Sequence, residues 1–185
     1  MKLIAGLGNP GRSYSRHRHN AGFRVIDELA LRHGMDVCKH SFGALTASGA
    51  IAGESVLLAK PQTYMNLSGE PVTSLLRYYK LDADSLIVVH DDLDIDSGKI
   101  KLAKCAGSAG HNGVASIIET LGHKDFIRIR VGVGRPPEGM DGADYVLSPI
   151  SKDEERIMAK AFEQAASAIE MIISKGLAKA QQEYH

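Results

Sequence analysis

Short apolar runs alternate along the chain with segments in which apolar residues recur at helical spacing. The runs at 3–5 and 85–90 are almost continuously apolar, which predicts buried strands, the second of them central in its sheet. The runs at 99–104 and 127–133 alternate apolar residues with Lys or Arg, which predicts further strands. The full set of predicted strands is 3–5, 44–51, 55–59, 85–90, 99–104 and 127–133, with a hairpin joining the second and third.

Helical periodicity predicts helices at about 21–33, 71–79, 114–121 and 151–175. Asn20 is a candidate N-cap of the first helix, and Ser151 with Glu154 predicts a capping box at the last. Strands that alternate with helices predict an α/β sandwich, a single domain over 1–185 whose central sheet is mixed, mostly parallel and flanked by helices. In the last helix the residues expected to face the core are Ile157, Ala161, Ala165, Ile169 and Ile172.

Composition narrows the class of protein. No run of about 18 apolar residues exists, so no membrane span is expected. The apolar part of the N-terminus is too short for a signal peptide, and Cys38 and Cys105 cannot build a disulfide framework or a metal site, so a cytoplasmic protein is expected. Lys and Arg together number 22, as do Asp and Glu, yet the segment 12–24 holds four arginines and no acid. Such a local basic patch can meet a phosphate backbone although the net charge is zero.

Polar side chains follow several of the predicted strands. Asn9, Asn66, Asp91 and Asn112 each come after one, and ligand sites of open α/β sheets lie beyond the carboxyl ends of strands. His19 is the best candidate for a general base, because imidazole exchanges protons near neutral pH, and Asp91 could orient its ring. The alternatives are a surface histidine in a basic loop and a solvated carboxylate at the end of a strand.

Three motifs suggest other chemistry. GLGNPG at 6–11 fits the dinucleotide fingerprint, but no helical pattern opens at its third glycine. AGSAG at 106–110 resembles a nucleophile elbow around Ser108, yet few histidines follow it to complete a triad. A metal could use His90, Asp91, Asp92 and Asp94, although HDDLD lacks the regular spacing of helical zinc ligands. A non-catalytic RNA-binding module, which would need only the basic patch and tyrosines, also remains open.

Four blocks in a fixed order resemble the bacterial-type peptidyl-tRNA hydrolase family. They are GLGNPG with Tyr14 and RHN at 18–20, then KPQTYMNLSGEPV from Lys60, VVHDDLDID from Val88 and AGHNG from Ala109; RIRVGVGRP from Arg128 fits as well. The chain departs from the family pattern at His17, where threonine is usual, and at Ser108 and Ala109 in the glycine-rich run. The resemblance covers nearly the whole chain.

The resemblance implies hydrolysis of the ester between a peptide and the 3′ ribose of tRNA, which releases free tRNA. His19 would activate the water and Asp91 would hold His19, with no metal, no cofactor and no membrane, in a monomer that binds the acceptor end. Asn9 would distinguish blocked from free aminoacyl groups, while Asn66 and Asn112 would hold the 3′ end and the peptide carbonyl. The remaining expected binding residues are Tyr14, Tyr64, Met65, Gly110 and His111, with Lys101, Lys104 and Arg130 as candidate phosphate contacts or, equally, solvated strand residues.

Overall fold

A seven-stranded sheet forms the centre of the protein in the computed structural model, which describes residues 1–185. The strands are β1 Lys2–Gly6, β2 Lys39–Ser41, β3 Ala44–Ile51, β4 Glu54–Pro61, β5 Leu86–Asp92, β6 Ile100–Lys104 and β7 Ile127–Gly132. Their order is β2-β3-β4-β1-β5-β7-β6, in which β4, β1, β5 and β7 are parallel and the outer strands antiparallel. The predicted mixed, mostly parallel sheet is therefore confirmed.

Helices cover both faces of this sheet. They are α1 Ala21–Arg32, α2 Gly69–Tyr78, α3 Asn112–Leu121, α4 Gly142–Val146, α5 Lys152–Lys175 and α6 Leu177–Glu183. One apolar cluster joins the sheet to α1 and α5, and a second joins its other face to α2 and α3. Strand β5 is buried along its whole length because both clusters use it, which explains its nearly continuous apolar sequence. None of the helices has the length and apolar character needed to span a bilayer.

The glycines of the GLGNPG turn allow α1 to lie close to the end of β1. A Cβ atom on Gly6 would come within 2.2 Å of the carbonyl oxygen of Gly22, and one on Gly8 within 2.8 Å of the Phe23 ring. The third glycine, Gly11, is followed by a short 3-10 turn at Arg12–Tyr14 and not by an α-helix. The glycines therefore serve close packing, and the motif lacks the helix N-terminus that a dinucleotide site needs.

Several local predictions need correction. Strand β2 and helices α4 and α6 were not predicted, because each is short and carries too few apolar residues to show a period. The capping box of Ser151 and Glu154 is confirmed, but Ile157, expected to face the core, is 49% exposed, and Met158 is buried in its place. Asn20 does precede α1, but its side chain makes no capping bond.

Helix α3 does not begin directly beyond the carboxyl end of the strand that precedes it, as the sequence had suggested for Asn112. Strand β6 is antiparallel to β7, so Lys104 at its end pairs with Ile127 at the start of β7. The carboxyl end of β6 therefore lies beside the amino ends of the parallel strands, whereas Asp91 lies at their carboxyl ends. It is the loop 105–111 that returns the chain to the carboxyl ends of the parallel strands, where α3 begins.

Candidate active site

A buried carboxylate lies between two imidazole rings at the end of β5. Asp91 is 3% exposed, and both of its oxygens lie 2.9 Å from Nδ1 of His19, which belongs to the 3-10 turn just before α1. Nε2 of His111, the residue before α3, lies 2.9 Å from Oδ1 of the same carboxylate. His19 and Asp91, which were predicted to act together, are in contact in the structure, and His111 joins them as a third member.

The protonation of His111 follows from its contacts. Its Nδ1 accepts hydrogen bonds from the backbone N–H groups of Gly113 and Val114, so it caps the N-terminus of α3. A nitrogen that accepts cannot carry the ring proton, so Nε2 carries it and donates to Asp91. His111 is thus held neutral, with no lone pair available to a substrate.

His19 has the opposite arrangement. Its Nδ1–H donates to Asp91, so its Nε2 carries the lone pair, and no protein group bonds to that nitrogen. Burial by itself would raise the pKa of Asp91, but the imidazoles of His111 and His19 outweigh it and hold that pKa well below its ordinary value. A charged carboxylate therefore fixes the tautomer in which the outer nitrogen of His19 can accept a proton.

A cleft of about 400 Å³ opens over this cluster. Its wall combines the end of β5, the turn before α3, the loop after β7 and helix α4. The residues that line it are His19, Asp91, Asp92, Leu93, Asp94, Ala109, Gly110, His111, Asn112, Arg135, Pro136, Gly142, Ala143 and Val146. This space gives a small substrate group access to the two histidines and to the side chain of Asn112.

The neighbours of Asp91 on β5 serve other purposes. His90 is buried, and its Nδ1–H donates to the backbone carbonyl of Asp91 at 2.7 Å. Burial, then His111 and the Arg128 guanidinium, hold the pKa of His90 well below its ordinary value, so it stays neutral and out of reach of the cleft. Asp92 binds Nε of Arg130 at 2.8 Å and accepts from the backbone N–H of Asp94.

Asn9 acts as a link between three segments. Its side-chain oxygen accepts from the backbone N–H of Met65 at 2.8 Å, and its backbone exchanges two hydrogen bonds with the side chain of Asn20. Asn20 follows His19 directly, so these bonds connect the glycine turn, the base and the Met65–Leu67 turn after β4. With one lone pair of its oxygen engaged, the Asn9 side chain still has both of its N–H donors to offer a substrate.

The other expected binding residues lie around the segments that Asn9 connects. Tyr64 and Asn66 are exposed in the turn after β4, where Met65 is buried. Tyr14 packs its ring edge-on against His17 at 5.3 Å. Gly110, His111 and Asn112 line the cleft, whereas the other four do not.

Two arginines of the basic segment are used by the fold. Arg18 bonds to Ser148, Pro149 and Glu154, and Arg24 pairs with Glu155. The expected basic patch therefore retains only Arg12 and Arg16 as exposed arginines without an ion-pair partner. These pairings join positions more than 130 residues apart, so the local sequence could not reveal them.

The three candidate phosphate contacts also differ in their surroundings. Lys104 pairs with Asp84 at the edge of the sheet far from Asp91, which removes support for its contact with the substrate. Lys101 is exposed and lies beside Arg130, whose Nε is engaged with Asp92.

Comparison with known proteins identifies the family. The family profile described as Peptidyl-tRNA hydrolase matches residues 3–185. The chain belongs to the peptidyl-tRNA hydrolase family. A peptidyl-tRNA hydrolase from Frankia casuarinae is 48% identical over 183 residues, covering 99% of this chain and 93% of that protein. One from Geobacter sp. is 49% identical over 179 residues, covering 97% and 95% respectively. The crystal structure of peptidyl-tRNA hydrolase from Acinetobacter baumannii superimposes with a TM-score of 0.93 at 33% identity, covering 100% of this chain and 94% of that one.

The rival serine chemistry has no support within this peptidyl-tRNA hydrolase fold. A nucleophile elbow puts its serine on the strained turn, but here the positive φ angles fall at Cys105 and Ala109, on either side of Ser108. His111 is already committed to Asp91, and the terminal His185 instead accepts a hydrogen bond from the backbone of Leu102. Ser108 therefore has no histidine to activate it.

The residues that could hold a metal ion differ from those suggested by the sequence. His19, Asp91 and His111 are the group whose ligand atoms lie close enough together to hold an ion, within 4.8 Å, whereas the HDDLD residues do not form such a group. In the group of His19, Asp91 and His111, the distances of 2.9 Å between nitrogen and oxygen are those of hydrogen bonds. Two ligand atoms of one tetrahedral zinc ion lie about 3.3 Å apart, so the trio would have to open to receive one.

Sequence reasoning missed part of this peptidyl-tRNA hydrolase site. Arg135 and helix α4 line the cleft, but neither was among the predicted site residues or elements. His111 was expected to bind substrate, and its bond to Asp91 was not foreseen. The available signal was its position directly before a predicted helix, where a side-chain acceptor caps the backbone.

Proposed function

We propose that this protein hydrolyses the ester that joins a peptide to the 3′ ribose of tRNA, with a water molecule activated by His19. The observation that carries the proposal is the His19–Asp91 pair at 2.9 Å, with the outer nitrogen of His19 free at a cleft. Membership of the peptidyl-tRNA hydrolase family supports the choice of substrate.

The reaction follows from the protonation states. Nε2 of His19 removes a proton from water as the oxygen attacks the ester carbonyl, and Asp91 stabilises the imidazolium that forms. When the tetrahedral intermediate collapses, the same nitrogen returns the proton to the departing ribose oxygen. The products are a peptide with a free carboxylate and a tRNA with a free 3′ end. His111 cannot replace His19 because both of its nitrogens are engaged.

Three asparagines were candidates to stabilise the oxyanion or to hold the substrate. Asn112 is exposed and shares the cleft with His19, which favours it as the group nearest to the reacting carbonyl. A side-chain amide can donate there to developing negative charge. Asn9 and Asn66 lie on the β4 side of the frame, which suits contacts to other parts of the substrate.

Turnover of purified peptidyl-tRNA with and without a chelator tests this function directly. We expect ester cleavage at the same rate after extensive treatment with EDTA, because the hydrogen-bonded trio needs no ion to orient His19. Loss of activity that zinc restores would instead assign His19, Asp91 and His111 to a metal centre. Binding of tRNA without any cleavage would leave only an RNA-binding module.

Binding of tRNA should weaken as salt is added. Each phosphate contact contributes a slope of roughly −0.7 to −0.9 in log K against log salt. We expect Arg12→Gln and Lys101→Gln each to make this slope shallower by about one contact, since both side chains are exposed and unpaired. Lys104→Gln is the matched control, because Lys104 pairs with Asp84 at the far edge. A slope that changes only with Lys104→Gln would move the tRNA to that edge.

We further propose that the protein acts in the cytoplasm as a monomer. The two cysteines are exposed and unpaired, which suits a reducing compartment. At the β6 edge, the backbone of Leu102 bonds to the side chains of Gln181 and His185. This cover blocks strand addition by a second copy.

A further inference from the structure

An uncharged surface with exposed apolar side chains runs along α2, outside the cleft. Leu67, Pro71, Ser74 and Tyr78 recur at intervals of four, three and four residues, so they share one side of the helix and the turn before it. Phe42, at the tip of the β2–β3 hairpin, packs against Tyr78 with ring centroids 5.0 Å apart and the ring planes tilted by 46°. We call these five residues the aromatic strip. Leu67 is 50% exposed, Tyr78 63% and Phe42 47%, while Pro71 itself is buried.

The position of Phe42 is unfavourable for the backbone. Phe42 and Gly43 form the two-residue hairpin tip, with φ angles of 51° and 80°. Such a turn favours Asn, Asp or Gly at its first position, and a bulky side chain at positive φ is rare. The contact with the Tyr78 ring offsets some of this strain, yet it leaves nearly half of Phe42 exposed to solvent. Residues held in unfavourable backbone conformations cluster at active sites, ligand clamps and switch regions.

The strip begins beside the catalytic cluster. Leu67 ends the short turn in which the backbone of Met65 is held by Asn9. The Met65 sulfur packs so closely on the start of α3 that a Cβ atom on Gly113 would lie 2.5 Å from it. The same Cβ atom would lie 3.1 Å from the His111 ring, so the Met65–Leu67 turn connects the strip to the residue that bonds to Asp91.

Charge separates the strip from the surfaces suited to RNA. None of its five side chains is charged, and the ionic residues Glu70 and Arg77 lie on the neighbouring sides of α2. The unpaired cations that suit phosphate, Arg12, Arg16 and Lys101, lie on other elements: the segment between β1 and α1 and the edge strand β6. Only one half of peptidyl-tRNA is a polyanion, so an uncharged aromatic surface is complementary to the other half.

We propose that the aromatic strip binds the peptide part of the substrate and favours apolar side chains several residues upstream of the ester. This inference rests on the proposed function, because it assigns a second subsite to the same reaction. From 67 to 78 the strip spans about 16 Å at 1.5 Å per helical residue. An extended peptide covers that length with about five residues.

The test compares two substrates of different length. One is tRNA that carries a single N-acetylated amino acid, which is too short to reach the strip, and the other carries an apolar hexapeptide. In the variant with Phe42→Asn and Tyr78→Ser, we expect kcat/KM for the hexapeptide substrate to fall about tenfold, while the short substrate is cleaved as by the wild type. Partial burial of two aromatic side chains accounts for an effect of this size. Leu31→Ser, at an 80% exposed apolar position on α1, is the matched control and should change neither rate.

A loss of folding would not explain the expected loss of activity, because the substitutions suit their positions in the fold. Asparagine tolerates the positive φ at position 42, so Phe42→Asn alone should melt at the same temperature as the wild type or higher. Equal losses on both substrates, or no loss on the hexapeptide substrate, would overturn the peptide subsite. Weaker binding of deacylated tRNA by the double variant would assign the strip to RNA and overturn it as well. If the wild type cleaves neither substrate, it is the proposed function that fails.

Discussion

Replacing His19 with asparagine should lower kcat by about 10²–10⁴ while leaving substrate affinity and the fold nearly unchanged, since this is the usual cost of losing a general base. Asparagine can still donate to Asp91 from its amide, so the buried carboxylate keeps a partner at the position where His19 Nδ1 lies 2.9 Å away. What is lost is the nitrogen lone pair that faces the cleft. His19→Ala should lose as much rate, with an added loss of stability, because it leaves Asp91 with one donor fewer.

The measurement is single-turnover cleavage of peptidyl-tRNA together with a binding assay on the same variant. His123→Asn serves as the control, because His123 is an exposed histidine whose ring pairs with Asp125 and does not line the cleft. Cleavage by His19→Asn within a few-fold of the wild-type rate would remove His19 from the role of base. His111, whose two ring nitrogens are both hydrogen-bonded, would then be the next candidate for the base.

The sequence predicted a mostly parallel sheet because its strands alternate with helices, and β1, β4 and β5 carry the apolar runs of strands that are buried on both faces. The sequence also paired His19 with Asp91, on the chemistry of the two side chains and the resemblance to the family; in the fold one lies beyond β1 and the other at the end of β5, and β1 and β5 are parallel neighbours. It could not foresee His111 on Asp91, because that contact depends on an antiparallel β6 and on the returning loop 105–111. Strand direction at a sheet edge is set by tertiary pairing and not by local pattern.

The basic segment illustrates a different limit. Charge along the chain is visible in the sequence, but the partners of a charge are not. Arg18 and Glu154 are brought together by the packing of α5 beside the turn before α1. The same packing pairs Arg24 with Glu155, and the Arg24 guanidinium also lies 4.7 Å from the centre of the Phe162 ring. A local count of arginines therefore overestimated the surface available to phosphate.

Asp91→Asn should lower kcat on the order of 10²–10⁴ with little change in affinity, through the tautomer of His19. Because α3 fixes His111 as a donor, the amide that replaces the carboxylate must turn its oxygen toward His111. The NH2 group of that amide then takes the place of Oδ2, which lies 2.9 Å from Nδ1 of His19. Two donors repel each other, so Nδ1–H of His19 keeps only the oxygen at the Oδ1 position, which it must share with His111. This loss favours the tautomer of His19 that carries its proton on Nε2, the nitrogen that must take a proton from water.

The pH dependence gives this prediction a second readout. A carboxylate beside an imidazole favours the charged imidazolium, so its removal favours the neutral ring. The acidic limb of the pH–rate profile should therefore move to lower pH in Asp91→Asn, while the plateau above it falls. Asp92→Asn is the matched comparison on the same strand: Asp92 holds Arg130, so this variant should raise KM and leave the position of the limb unchanged. If Asp92→Asn carries the loss of kcat and Asp91→Asn keeps the wild-type profile, the partner assigned to His19 is wrong by one residue.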